Sequence, residues 1–164
     1  NSGVTATTAN YTVDTIAPAV SSFTLSDNAL QIGDSANVTL VFSEAVTGFS
    51  SADDITAANG ILSAMTSANG GITWTGTFTP TAAIEDIANL LSLADTYTDL
   101  AGNTGVTATT ANYSMDTITP AVSSFTLSDN ALQIGDSATV TLVFSEAVTG
   151  FSSADDITAA NGQP

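Results

Sequence analysis

The sequence predicts an all-β protein, an antiparallel β-sandwich written in tandem, and three observations predict it. Residues 21–36, SSFTLSDNALQIGDSA, return letter for letter at 123–138. Apolar residues alternate with serine and threonine at period two, as in VSSFTLS, ANVTLVFS and GITWTGTFTP, the pattern of half-buried strands. Spacers such as DNALQIGDS, ANG and NGG carry turn chemistry between them. About seven short strands per hundred residues, with turn signals every ~8–12 residues, is sandwich spacing.

The duplication sets the domain plan. Asn1 aligns with Asn103, an offset of 102, and the overlap carries residues 1–60 onto 103–162. Only Ser2/Thr104, Thr12/Ser114, Val13/Met115, Ala17/Thr119 and Asn37/Thr139 differ. Solenoid repeats are shorter, roughly 20–50 residues; this period suits one small globular domain. The reading is the last strand of one repeat at 1–14, a complete repeat at 15–116 and the first half of another at 117–164, a window on a longer array. Gln163 and Pro164 leave the pattern, where Ile61 and Leu62 predict isoleucine and leucine.

Taken in order, strands are expected near 20–25, 38–43, 55–64, 72–79, 91–98 and 106–115. Trp74 takes an inward, core slot. One helical turn or two is expected in TAAIEDIANLL, where Ile84, Ile87, Ala88 and Leu91 share a face.

Composition narrows the function. Sixteen acids meet no Lys, Arg or His, for a net charge of −16. Nothing can neutralise phosphate, so nucleic acid and direct contact with anionic membranes are excluded as partners. A 43% apolar and only 10% charged chain is foldable rather than a disordered acidic tail. Without cysteine or lysine, neither disulfides nor Lys–Asn crosslinks brace it. No run of eighteen apolar residues and no leader is read within these residues; a secretion signal elsewhere in an array is compatible with that. Enzyme chemistry is not expected: the usual bases and nucleophiles are missing. The adjacent pairs Asp53–Asp54 and Glu85–Asp86 point to opposite strand faces instead of flanking a sugar. An ice-facing threonine array is also set aside, because TATTANYT supplies one threonine-rich strand per repeat.

The stretches FSEAVTGF, TPTAAIED and DLAGN, in that order and following VDTIAP, resemble the bacterial Ig-like repeats of giant surface adhesins and biofilm-associated proteins, over the whole chain. The resemblance implies an Ig-like Greek-key sandwich, strung in secreted arrays on the bacterial cell surface or in extracellular filaments. It also implies a tendency to bind calcium at domain junctions.

Ig-type strand order places nearly every acid at a pole. Glu44, Asp53, Asp54 and Asp99 gather with Asn103 and the linker residue Asp14 where the chain enters the domain. Asp27, Asp34, Glu85, Asp86 and the linker residue Asp116 lie where it leaves, and Asp95 alone falls mid-strand. Acids suit turns and caps in any case, which accounts for Asp34 and Asp86. Converging carboxylates without a cationic side chain point instead to a hard cation. Calcium takes six to eight oxygens, and the lack of thiolate and imidazole disfavours zinc and copper. The expected calcium ligands are Asp14, Glu44, Asp53, Asp54, Asp99 and Asn103, and at the next junction Asp116, Glu146, Asp155 and Asp156. Pro18 and Pro120 stiffen the linkers. The expected role is a calcium-stiffened extender whose partners are neighbouring repeats and, in a fibre, like chains. The alternative is a carbohydrate- or receptor-binding module, which a copy with divergent loops would reveal.

Overall fold

The computed structural model describes residues 2–160, and the chain divides into two compact units, Asn1–Ile118 and Thr119–Pro164. The first unit begins with β1 (Val20–Leu25), β2 (Ala29–Gln31), β3 (Ala36–Phe42), the two-residue β4 (Val46–Thr47) and one helical turn, α1 (Ser51–Asp54). Next come β5 (Ile55–Ala57), β6 (Gly60–Leu62), β7 (Thr66–Ser67) and the long β8 (Thr73–Pro80). β9 (Glu85–Asn89), β10 (Leu91–Leu93), β11 (Thr98–Asp99), β12 (Ala108–Thr109) and β13 (Tyr113–Asp116) complete it. The second unit holds β14 (Val122–Leu127), β15 (Val140–Phe144) and α2 (Ser153–Asp156).

The first unit is a β-sandwich. One sheet runs β1-β3-β8-β6, with β7 also on β8. Opposite it lie the short sheets β12-β10-β5, β11-β4 and β2-β13-β9. Period-two alternation drives the packing. β3 buries Ala36, Val38, Leu40 and Phe42, while Leu91, Leu93, Tyr97, Tyr113 and Met115 come from the other side. Aromatic edges join the layers: Phe42 meets Tyr97 at 4.8 Å and Phe78 meets Tyr113 at 5.5 Å between ring centroids. Trp74 is half-buried, edge-on to Phe49, and its indole N–H donates to the Gly71 carbonyl at 3.0 Å. Outward, Thr24, Thr39, Thr75 and Thr66 align across four strands, so threonines from several strands share a face where the sequence reading counted a single strand.

Four expectations change. The 55–64 segment is two strands in different sheets: β5 pairs with β10 and β6 with β8. The chain crosses over at Asn59, whose φ of 59° is left-handed, a conformation asparagine tolerates. Gly60 follows because a Cβ there would collide with the Phe78 ring. No helix forms at 81–91. Ala83 is left-handed at φ 60°, and Thr117 captures the Ile84 N–H through its hydroxyl at 2.9 Å. β9 then pairs with β13, leaving Ile87 79% exposed; sheet bonding overrides the helical stripe. Asp95 sits in a bend between β10 and β11 rather than in a strand. Finally, one strand pair departs from the antiparallel pattern: β13 runs parallel to β2.

The second unit is a hairpin of β14 and β15 with α2. Phe125, Leu127 and Leu132 are each more than half exposed.

Candidate metal centre

The sequence pins the incoming chain beside one corner of the sandwich. Ala19 and Ser43 exchange two bonds, the Ser43 N–H donating to the Ala19 carbonyl at 2.8 Å and the Ala19 N–H to the Ser43 hydroxyl at 2.9 Å. Pro18 is fully buried. Residues 14–17 are thereby held next to Glu44, one position after Ser43. β11 pairs with β4, placing Asp99 opposite Val46, two residues beyond Glu44. Gly71 closes the same corner: it accepts from the Val46 N–H at 3.2 Å, and its φ of +95° and the Val46 carbonyl leave no room for a side chain.

Asp14, Glu44 and Asp99 each present a carboxylate oxygen, all within 4.8 Å of one another. Opposed ligands of calcium lie about 5 Å apart, given bonds of roughly 2.3–2.6 Å, so the three fit one coordination shell.

The three carboxylates differ in how they are supported. Asp99 is 2% exposed. Its Oδ1 accepts from the Ala101 and Asn103 N–H groups at 2.8 Å each, and its Oδ2 accepts from Asn103 Nδ2 at 2.7 Å. Burial favours the neutral acid, but the hydrogen bonds from Asn103, Ala101 and Gly102 together outweigh it and hold the pKa below the usual carboxylate value. Asp99 is thus a fixed charge. Glu44 is pushed the other way, first by burial and then by the charges of Asp14 and Asp99. Its ionised form carries a repulsion that no side-chain cation in this chain can relieve. Asp14 is exposed, accepts from the Ile16 N–H at 3.1 Å, and offers its carbonyl to Asn103 Nδ2 at 3.3 Å. A carboxylate has about four acceptor sites, so even Asp99 keeps capacity for a cation. An all-oxygen, uncompensated donor set fits calcium and not a soft metal.

Other expected ligands fall elsewhere. Asp54 is 4% exposed, but its Oδ2 accepts from the Ser50 N–H at 2.7 Å and its Oδ1 accepts from the Thr96 hydroxyl. It is a buried cap for α1 and does not join the trio. Asp53 is exposed on α1 and is not among the grouped acids. Asp156 repeats the capping role, with Ser152 N–H donating to Oδ2 at 2.8 Å, and Asp155 and Glu146 lie in that same unit. Asp116 ends β13, where its carboxylate meets the Ile118 N–H at 3.3 Å. Asn103 enters as an organiser of Asp99 and Asp14. Thr96 is the partner that sequence reading missed; nothing in its spacing from Asp54 advertises the bond.

Two facing layers of short, mostly antiparallel strands are the architecture of an Ig-type module. The family model of the bacterial Ig-like domain matches residues 14–115 and again 116–163, and the chain belongs to that family. Such domains are surface-protein modules and typically not enzymes. No curated protein and no solved structure matches the chain. Among the described residues, no helix is long and apolar enough to cross a membrane.

Proposed function

We propose that the chain is an extender segment of a bacterial surface adhesin or extracellular filament, its repeats stiffened by calcium. One observation carries the reading: the acid trio joins a linker residue, Asp14, to two residues of the domain body, Glu44 and Asp99. A cation held by all three would fix the angle at which the chain meets the sandwich. Near-identity of the copies supports the spacer role, because equal units extend reach without adding a distinct recognition surface. Asp14 and Asp116 are equivalent repeat positions, so each linker brings the same carboxylate.

Calcium titration followed by melting temperature tests the site. Millimolar calcium, the range of extracellular modules, should raise Tm by mass action on the native state. Asp99→Asn should abolish most of that rise. Asp34→Asn should retain it, because Asp34 only closes a turn by accepting the Gln31 N–H at 2.8 Å. Equal responses of the two variants reject the site. Small-angle scattering from a protein of two full repeats then tests the stiffening: calcium should lengthen the maximum dimension, and a chelator should reverse it.

A further inference from the structure

We infer that Asn69 is a site of spontaneous covalent modification, at which the Gly70 backbone nitrogen displaces the side-chain amide and leaves mainly isoaspartate. Two Asn-Gly pairs lie among the described residues, Asn59–Gly60 and Asn69–Gly70; a third, at 161–162, lies outside them. Glycine favours the attack because no side chain shields its nitrogen and its backbone turns freely. Both pairs share that chemistry, so the fold decides between them.

Asn69 lies in the 68–72 bend between β7 and β8, and both it and Gly70 are exposed. The Gly70 N–H meets no acceptor among the described residues. Every hydrogen bond to the Asn69 side chain comes from within four residues. Its Oδ1 accepts from the Ser67 hydroxyl at 3.1 Å and the Thr73 N–H at 2.8 Å, and its Nδ2 donates to Thr73 Oγ1 at 3.1 Å. Such a set is released when the bend opens, with the sandwich intact. Asn59 is held differently. It is half-buried, and its Nδ2 donates to Asp86 Oδ2 at 3.1 Å and to Asn89 Oδ1 at 2.9 Å, across 27 and 30 residues. Gly60 packs against the Phe78 ring and pairs with Pro80 at the start of β6. That pair is freed only when β6, β8 and β9 come apart.

The Gly70 nitrogen loses its proton and bonds to the Asn69 side-chain carbonyl carbon, and the amide nitrogen leaves as ammonia. Water then opens the resulting succinimide. Cleavage at the side-chain carbonyl gives aspartate; cleavage at the main-chain carbonyl gives isoaspartate, whose chain runs through the former side chain. Water enters, ammonia leaves, and nothing is oxidised or reduced. Aspartate keeps an acceptor for Ser67 and Thr73. Isoaspartate instead adds a carbon to the main chain just before Gly70 and Gly71. The Gly71 N–H donates to Ser67 Oγ at 3.0 Å, and its carbonyl accepts from the Val46 N–H at 3.2 Å and from the Trp74 indole at 3.0 Å. The isomer therefore loosens the bend from β4. The inference rests on the fold and not on the calcium reading, and a failed calcium titration leaves it standing.

Ageing the full chain at mildly alkaline pH, once folded and once in urea, tests it. Trypsin has no site in a chain without Lys or Arg, so chymotryptic peptides are read by tandem mass spectrometry, with electron-transfer fragments separating isoaspartate from aspartate. In the folded chain Asn69 should convert, mainly to isoaspartate, while Asn59 keeps its amide; in urea both should convert. Asn69→Gln should block the native reaction. Aged wild type should melt below fresh protein, and Asn69→Asp should melt with the fresh protein. A folded chain in which Asn69 persists, or in which Asn59 keeps pace with it, overturns the site. Asn69→Asp melting as low as the aged protein overturns the effect assigned to the isomer.

Discussion

Residues 21–36 and 123–138 are the same sixteen letters in two settings, one followed by a whole sandwich and the other by about a quarter of one. Much is unchanged. β1–β3 and β14–β15 share register and even the same bulge, between Val20 and Ser22 and between Val122 and Ser124. The Asp27 and Asp129 turns, the Ser43 and Ser145 anchors and the Asp54 and Asp156 caps recur within 0.1 Å. What changes is whatever depends on later residues. β2 has no counterpart strand, and β15 starts two positions later than β3 because the residues aligned with Ala36 and Asn37 have no β8 to pair with. Hairpins and caps are local properties of this sequence; closing strands and burial are not.

The core aromatic gives the largest contrast. Phe23→Ala should cost the first sandwich about 3–5 kcal/mol in denaturant unfolding, whereas Phe125→Ala should leave that transition where it was. Comparable losses would mean that the two copies are buried alike.

The caps sharpen the comparison at smaller scale. Asp54→Asn removes the charge on a buried acceptor of two hydrogen bonds and should cost about 1–2 kcal/mol, with the calcium-induced rise in Tm intact. Asp156→Asn, exposed in its setting, should cost less than about 0.5 kcal/mol. A lost calcium response in Asp54→Asn would return that residue to the metal centre.

Smallest at neutral pH is Tyr113→Phe. The Tyr113 hydroxyl is buried without a hydrogen-bond partner, so its removal should change stability by no more than about 1 kcal/mol, in the favourable direction. Alkali separates the two proteins. Burial, then the charge of Asp86, pushes the phenol up to about 12, above an unfolded value of about 10. Between those values the unfolded chain has lost a proton that the folded chain keeps, so wild-type stability falls as pH rises through the window. The Phe variant should lack that component of the slope; identical slopes would place the phenol in water.

Strand existence was legible because period-two alternation and turn residues are local signals, and β1, β3 and β8 lie where Val20, Val38 and Ile72 announced them. The sheet switch at Asn59 was hidden, since the short apolar stretches on either side of it in ITAANGILSA do not say which sheet owns each. β9 was misread as helix because Ile84, Ile87 and Leu91 fit a helical stripe, while the decisive bond from Thr117 comes from 33 residues away. At the site, the DLAGN turn betrayed Asp99 and the linker betrayed Asp14. Asp54 looked equivalent from its position, but its carboxylate meets Ser50 and Thr96 and lies outside the group that Asp14, Glu44 and Asp99 form.

The parallel pairing of β2 with β13 bears on how this domain meets a pulling force. Tension along the chain passes through β1 before it reaches β2 from its N-terminal side, and it meets β13 at its C-terminal end. Because the two strands run the same way, those points lie at opposite ends of the pair. The strands are then dragged lengthwise past each other, and their bonds must yield together instead of unzipping singly. Under a load carried by both strands, a three-residue strand would act as a shear clamp, set at Asp116 where β13 ends.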